Sequence, residues 1–582
     1  MLSTTQYTTK APVTKHAPSA AGDVSGERTS LVRGTAAQPR DGKVEPCQTY
    51  RRLAKQFEQD ILWGQPEQAN RLHVEIEALS HKVTAEAPGL ALEIAADEQL
   101  RHLLRLMADN WYEQAVTFAR KARQELRAHY DTSRPYFQVV AALVDVYYGQ
   151  ALIYTSRYEP AREILSQAIA KIGSVDIDGG LDDLTDWRRR LAIGRAHNNL
   201  GYIDRMKRRH YKRALQELQQ ALPYLREVDL LEEYANTLDN MGGVYTMLYN
   251  RNRAESLLHE ALTIRRALRR EARIALSLDS CSRFHLRFAD PHTALLMAQQ
   301  ELDISTKLKP RRPAGLAHIS LGRSLRRLGT LATTYSSDEC LRYLDQAIQH
   351  LTEAMHIFAT DVDEPVRLIE IYNELGCAYR DRAALRRRDG AMAARPDPDV
   401  RWAITYLENA IRAAQDTHRV MYVDSCHDLA QTCLRDGDLH NASLWLDRAR
   451  AAIPDGYKLS RRQAAPDLAG QDYVEEWWCQ MGKIELLCGH FALERPQPSF
   501  QQAYAEAIAH YAFAMAQFRS YSDQVITSRR ILPQIYSQVR HGRVDNVQYA
   551  LDQVLPDVEH KTGVALPELR ELLEQALELA VP

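Results

Sequence analysis

Arg195, Asn198, Tyr202 and Arg205 follow one another at steps of three, four and three, the spacing that gathers side chains on one face of a helix. The same steps group Glu370, Asn373, Cys377 and Arg380 further along, and Asp424, His427 and Gln431 after them. Asp239 takes the matching place between these sets, beside Asn240, as Asn199 stands beside Asn198. A carboxamide donates and accepts at once, so asparagines can grip an extended peptide backbone, and a guanidinium can clamp a carboxylate through two parallel hydrogen bonds. The same groups have an internal use: Asn198, Asn199 and Asn240 can bond to neighbouring helices and order them. Arg195, Arg205 and Arg380 are the stronger candidates for ligand contact, because the guanidinium fork suits bidentate recognition.

These residues complete no catalytic template. The chain has no Gly-x-Ser-x-Gly, no His-Glu-x-x-His, no His-Arg-Asp segment, and no Gly-rich phosphate loop ending in Lys-Ser/Thr. The eight cysteines (47, 281, 340, 377, 426, 433, 479 and 488) form no Cys-x-x-Cys. Cys426, His427 and Cys433 lack the further ligand pair of a tetrahedral site. Arg283-Phe284-His285 and Cys488-Gly489-His490 place histidines near helix ends or loops, where a structural role is the commoner one. No catalytic residue, metal or cofactor is expected, and the chain reads as non-enzymatic.

Charge narrows the partners. Lys and Arg number 74 against 76 Asp and Glu, a net of −2, which argues against a dedicated nucleic-acid binder with its concentrated basic surface. The runs Arg188–Arg190 and Arg386–Arg388 are expected as solvated helix faces or loops, with phosphate contact the less common use. The start MLSTTQYTTK lacks the apolar stretch of a secretory signal. The most apolar segment, Phe137 to Tyr154, is interrupted by Gln138, Asp145 and Gln150 and reads as a buried helix, not a membrane span. The expected compartment is the cytoplasm.

The elements that position these residues are helices throughout. Residues 1–45 are rich in Ser, Thr, Ala, Gly and Pro and poor in large apolar side chains, so they are expected to form a disordered tail. From there on the chain repeats one pattern, Ala-x3-(apolar)-x2-Ala. It occurs at Ala161/Leu165/Ala168, Ala214/Leu218/Ala221, Ala254/Leu258/Ala261, Ala347/Leu351/Ala354, Ala403/Leu407/Ala410, Ala442/Leu446/Ala449 and Ala507/Tyr511/Ala514. Looser copies stand at Ala115/Ala119/Ala122 and Ala294/Ala298/Glu301. A small residue precedes each copy inside the previous helix, as in Leu200-Gly201, Met241-Gly242, Leu321-Gly322, Leu375-Gly376 and Met481-Gly482, with Gly149 and Ala430 in the equivalent place. Glycine inside a helix costs about 1 kcal/mol against Ala, so its recurrence implies tight helix packing.

On these residues the chain resembles the tetratricopeptide repeat. Gly242, Tyr245, Ala254, Leu258 and Ala261 match the repeat; Leu375, Gly376 and Tyr379 match its first helix; Ala442, Leu446, Ala449 and Pro454 match its second helix and closing proline. The period is longer than the family's roughly 34 residues: Gly242, Ser282 and Gly322 are 40 apart, with extra residues at 329–344, 381–399 and 489–499. That length resembles the repeat regions of bacterial signal-transduction ATPases and transcriptional regulators. The resemblance implies an all-α, right-handed α–α superhelix, a TPR-like solenoid whose first helices line the concave surface. Residues 46–520 are expected to form the array, about nine helix pairs, and 521–582 to form capping helices. The last of these, with Leu569, Leu572, Leu573 and Ala576 on one face, could cap or dimerise, so the oligomeric state stays open.

The function implied is a scaffold or adaptor that holds a peptide or partner protein in a concave groove, in bacterial signalling or regulation. The site would comprise Arg195, Asn198, Asn199, Tyr202, Arg205, Asp239, Asn240, Asn373 and Arg380. The alternative is a regulator whose solenoid senses a ligand or signal peptide and changes curvature.

Overall fold

The computed structural model describes residues 46–580, apart from 63–64, 131–132, 176–179, 209, 227–229, 309–310, 332–333, 363, 389–396, 458–475, 497–498, 522–530 and 541. The expected tail, 1–45, lies outside the described residues. Residues from Tyr50 onward form one compact unit. That unit holds the repeat architecture.

Every regular element among the described residues is helical. The chain enters through α1 (Pro46–Leu62) and α2 (Pro66–Glu86). Helix pairs follow in succession: α3 (Ala91–Ala108) with α4 (Tyr112–His129), α5 (Pro135–Tyr154) with α6 (Tyr158–Gly173), and α7 (Asp183–Ile203) with α8 (Tyr211–Leu225). Next come α9 (Leu231–Met247) with α10 (Arg251–Ala267), α11 (Glu271–Arg287) with α12 (Pro291–Ser305), and α13 (Arg312–Gly329) with α14 (Ser337–Thr360). The last pairs are α15 (Pro365–Arg388) with α16 (Pro398–Ala414), α17 (Arg419–Asp436) with α18 (Leu439–Ala452), and α19 (Glu476–Glu494) with α20 (Phe500–Tyr521). Four shorter helices end the chain: α21 (Ile531–Val539), α22 (Val544–Tyr549), α23 (Leu555–Thr562) and α24 (Pro567–Ala580).

Local chemistry sets several helix starts. Asp182, Asp290 and Asp438 each accept a hydrogen bond from a backbone N–H of the following turn, and Ser336 with Glu339 forms a capping box ahead of α14. Part of the extra length between paired helices is itself helical, since α14 begins at Ser337 and α15 continues to Arg388.

The recurring glycine and the recurring Ala-Leu-Ala face are two sides of one contact. A methyl group on Gly201 would lie 2.6 Å from Leu218 Cγ, one on Gly242 2.7 Å from Leu258 Cγ, and one on Gly376 2.5 Å from Leu407 Cγ. The first helix therefore needs glycine for the second helix's leucine to seat. In the α13–α14 pair the contact recurs every seven residues, with Gly315, Gly322 and Gly329 against Phe358, Leu351 and Leu344. In the last pair the register differs from the expected one: Gly482 faces Phe518, and Gly489 faces Tyr511. The alanines of all seven full copies of the motif are 0% exposed. This is a tetratricopeptide-like, all-α repeat array.

The array also touches itself beyond nearest neighbours. Arg273 of α11 donates to the Leu62 carbonyl at 2.8 Å, and the Arg312 guanidinium of α13 lies 5.5 Å over the ring of Tyr154 on α5. The Tyr211 hydroxyl donates to Glu476 at 2.8 Å, and Tyr521 of α20 donates to the Met247 carbonyl. Helices far apart in sequence thus meet beside the side that the first helices line, in contacts that a solenoid of purely neighbouring pairs would lack. Helix α5 has the length and hydropathy to cross a membrane, but 83% of its apolar window is buried inside the protein.

Candidate ligand-binding interior

The small residues that seat the second helices also fix what faces the interior. Counting from Gly201, Gly242, Ser282 and Gly322, the residues one, four and five places on lie to one side of the face that meets the partner helix. On α11 they are Arg283, Leu286 and Arg287; on α13, Arg323, Arg326 and Arg327; on α9, Gly243, Thr246 and Met247. With Arg205 and Met206 of the turn that follows α7, Ser280, and Glu370 and Glu374 of α15, they line a cavity of about 290 Å³. A second cavity of about 130 Å³ adjoins it and shares Arg205, Met206, Ser280 and Arg283.

The smaller cavity gathers seven of the nine residues singled out by sequence: Arg195, Asn198, Asn199, Tyr202, Arg205, Asp239 and Asn240. Asn373 and Arg380 are absent from its lining and lie further along the array. Several of these groups bond to one another. Asn240 Nδ2 donates to Asn198 Oδ1 at 3.0 Å, and Arg205 Nη1 donates to Asn240 Oδ1 at 3.1 Å. Gly243 makes room for that guanidinium, since a Cβ there would lie 2.5 Å from Arg205 Nη1. Arg195 reaches Gln150 at 2.7 Å and Glu233 at 3.2 Å, and packs 4.8 Å over the Tyr147 ring. Asp239 Oδ2 accepts from the Ser280 hydroxyl at 3.0 Å. Two groups keep an unused valence: neither Asn199 Nδ2 nor Asp239 Oδ1 has a hydrogen-bond partner among the described residues, though each side chain's residue is only 8% exposed. Burial raises the pKa of Tyr202, whose ring lines the same cavity.

A ladder of shared ion pairs runs along the walls of both cavities and on past them. Glu364 accepts from Arg312 (2.7 Å) and Arg367 (3.0 Å); Glu370 faces Arg367 (3.0 Å) and Arg323 (3.5 Å); Glu374 faces Arg323 (2.9 Å) and Arg326 (3.0 Å). Asp381 continues it between Arg326, Arg380 and Arg435 at 3.1 Å each, and Asp428 closes it with Arg380 (3.2 Å) and Asn373 (3.0 Å). Burial alone would raise these carboxyl pKa values. Arg367, then Arg323, instead holds Glu370 at about 2, and Arg380, then Arg326, holds Asp381 at about 2. The carboxylates of the ladder are ionised and already shared.

Arginines outnumber carboxylates in the lining of the larger cavity, and several already have partners: Arg283 pairs with Asp279 at 2.6 Å, and Arg326 with Glu374 and Asp381. Arg205, Arg283, Arg287, Arg323, Arg326 and Arg327 face it against Glu370 and Glu374. Arg287 has no carboxylate in ion-pair range among the described residues; it stacks 4.2 Å over the Tyr249 ring and touches the Tyr521 hydroxyl at 3.5 Å. Arg283, Arg287, Arg323, Arg326 and Arg327 were not in the sequence-derived stripe. Their signal was present in the chain, as arginines at fixed offsets from Ser282 and Gly322.

Other candidates resolve into internal pairs. Arg188, expected on a solvated face, is fully buried and binds Glu58 at 3.0 Å and Asp97 at 2.7 Å. In the second run, Arg386 pairs with Asp399 at 2.9 Å and Arg387 with Asp436. Glu485, Cys488 and His510 converge within 4.8 Å, but Arg450 lies among them, 3.0 Å from Glu485 and 3.3 Å from Cys488 Sγ. The positive charge there is supplied by Arg450, and burial, then Glu485, pushes the Cys488 thiol up to about 12. Cys426 and Cys433 are also buried, each thiol pushed up to about 12. His285 stands 3.3 Å from Asp290, and His490 packs against the Tyr511 ring.

No protein-family model matches the chain, and no curated protein does. Among solved structures it is similar to the apo form of RapI, with 13% identity, a TM-score of 0.35, and coverage of 83% of this chain and 98% of that one. It is also similar to the human IFIT1 dimer with PPP-AAAA (16% identity, TM-score 0.35, 86% and 94% covered). A third is the Cut9–Hcn1 hetero-tetramer of the APC/C (11% identity, TM-score 0.31, 89% and 96% covered). Scores this low carry no function over to this chain.

Proposed function

We propose that this chain is a non-catalytic binding protein that takes an anionic ligand, or an anionic segment of a partner protein, into the interior of its repeat array. One observation carries the reading: the buried Arg287 guanidinium lines a cavity shared with five other arginines and has no carboxylate in ion-pair range among the described residues. A cationic concavity with low-dielectric walls focuses field and concentrates anions. Capture of an extended peptide along an open groove has less support. Asn198, Asn240 and Arg205 bond to each other, and Arg195 bonds to Gln150 and Glu233.

Contacts between distant helices at the cavity's edge favour a regulatory role. The cavity's lining residue Met247 takes the hydrogen bond from Tyr521 of the far helix α20, and Arg287 touches the same tyrosine. A ligand that engages these arginines would bias how the turns of the array meet. The setting we propose, bacterial signalling or regulation, rests on analogy with the long-period repeats that the sequence resembles.

Thermal unfolding with added anions tests the reading. Pyrophosphate, citrate and a hexaglutamate peptide are compared with a matched increase in ionic strength, for the parent and for Arg283→Gln/Arg287→Gln. At a hundredfold excess over Kd the ligand should stabilise the parent by about 2.7 kcal/mol. Equal stabilisation of the double variant, or no stabilisation of the parent by any anion, would overturn it.

A further inference from the structure

Arg287 and Glu476 are opposite charges held apart by one hydroxyl. The Arg287 guanidinium of α11 touches the Tyr521 hydroxyl at 3.5 Å, and the Glu476 carboxylate of α19 lies 3.3 Å from the same oxygen. Neither charge has an oppositely charged partner in ion-pair range among the described residues. We propose that Glu476 is a built-in counter-charge to the anion seat at Arg287, supplied from a distant part of the array, and that it lowers the seat's affinity. This deepens the anion-binding reading and rests on it.

The surroundings hold both charges in place. Glu476 is 5% exposed, and its Oε2 accepts from the Tyr211 hydroxyl of α8 at 2.8 Å. Gln480, one turn along α19, donates to Oε1 at 3.4 Å. These donors are neutral, so they satisfy the carboxylate oxygens without cancelling the charge. Arg287 is fixed from the other side. Its guanidinium stacks 4.2 Å over the ring of Tyr249, a residue with φ of 57°. The left-handed region is unfavourable for a bulky side chain, and the corresponding turns carry the smaller Asn110, Ser156, Ala289 and Gly437 there. Tyr249 holds that conformation where its ring supports Arg287 and meets the Tyr521 ring edge-on at 6.3 Å.

Through the shared hydroxyl the two charges stand within about 7 Å of each other, a range over which a buried carboxylate still offsets much of a guanidinium's pull on an incoming anion. Glu476 lines neither cavity, so it acts on a ligand through Arg287 and not by contact. Burial by itself would lower the Arg287 pKa; Tyr249, Tyr521, Cys479 and Glu476 instead hold it well above its ordinary value. An anion entering the cavity therefore competes with negative charge that the protein already supplies.

Calorimetric titration of the full chain with pyrophosphate, citrate and hexaglutamate, at fixed ionic strength, tests this. Glu476→Gln removes the charge and keeps an acceptor oxygen for both tyrosine hydroxyls. It should bind at least one of these anions about tenfold more tightly than the parent. Damage to the fold would act in the opposite direction. In the Arg287→Gln background the same substitution should change affinity by less than about threefold, or recover no binding where it is lost, because the guanidinium it acts on is gone. Binding by Glu476→Gln where the parent shows none supports the counter-charge and the anion site together. Equal or weaker binding by a folded Glu476→Gln, or a gain that persists in full without Arg287, would overturn the inference and leave the anion-binding reading standing. Binding of no anion by parent or variant would overturn both. Should Glu476→Gln fail to fold, Glu476→Asp draws the same charge back by one methylene and should tighten binding about threefold. Unchanged or weaker binding by that variant would equally overturn the inference.

Discussion

Arg367 is the rung of the ladder whose removal has the most calculable effect. It is 5% exposed and donates to Glu364 and to Glu370 at 3.0 Å each. In Arg367→Met, Glu364 keeps both of its bonds to Arg312, at 2.7 and 3.1 Å. Glu370 keeps only Arg323, at 3.5 Å, and so loses its principal partner. Arg367 is the largest of the groups that hold the Glu370 pKa at about 2. Against an unfolded value near 4.3 that depression is worth about 3 kcal/mol in favour of the ionised form. Because the folded pKa is the lower one, this stability is present above about pH 4 and is lost as pH falls towards 2. At pH 7 Arg367→Met should therefore cost about 3–5 kcal/mol, the usual effect of removing one partner of a buried pair. Urea unfolding followed by circular dichroism at pH 7, 5 and 3.5 measures it. The gap between parent and variant should narrow on acidification, as Glu370 takes up a proton in the variant. Adding Glu370→Gln should recover part of the loss at pH 7. A loss below about 1 kcal/mol at pH 7, or a gap that does not change with pH, would refute the reasoning.

Three further outcomes follow from buried groups. Glu301 is 0% exposed with no hydrogen bond to either carboxyl oxygen, and burial, then Asp279, lifts its pKa well above the usual carboxylate range. The folded state favours its protonated form, so that stability is full below the unfolded pKa and declines as pH rises; Glu301→Gln should be more stable than the parent at pH 8, by on the order of 1–2 kcal/mol, with the difference vanishing near pH 4 in denaturant titrations. His490 is held down at about 4 by burial, then by Arg435 and His427. Its neutral form stabilises the fold above about pH 6.5 and that contribution fades towards pH 4, so His490→Asn should flatten the loss of stability over that window by up to about 3 kcal/mol. A side chain on Gly322 would meet Leu351 Cγ at 2.5 Å and the Ala347 carbonyl at 3.3 Å, so Gly322→Val should cost about 1–3 kcal/mol, with partial rescue by Leu351→Ala in the same unfolding assay.

The repeat was legible because its signal is local and redundant. Each Ala-x3-Leu-x2-Ala face and each mid-helix glycine follows from one contact, made over and over with the neighbouring helix. The face presented by Arg195, Asn198, Tyr202 and Arg205 was legible for the same reason, since helical spacing alone groups it. What these groups bond to was not, because the partners of Arg195 and Asn198 sit about forty residues away on the adjacent first helices. Arg188 shows the limit most plainly. A run of three arginines reads as solvated, yet one of them meets Glu58 from the first described helix, 130 residues earlier. The closure of the interior depends on still longer separations, such as Tyr521 to Met247, for which a repeat pattern holds no signal. The arginines of α11 and α13 fall between these cases. Their offsets from Ser282 and Gly322 were in the sequence, but only the cavity they line together gives those offsets a meaning.

Hydrogen exchange with and without saturating ligand, read peptide by peptide by mass spectrometry, tests the central claim most directly. A ligand held inside the array should slow exchange in α11 and α13, which carry Arg283, Arg287, Arg323 and Arg327, and in α20, where Tyr521 meets Met247. The second helices α10, α16 and α18 should be unchanged. Protection confined to those second helices, with α11 and α13 unaffected, would place the ligand outside the interior and contradict the account.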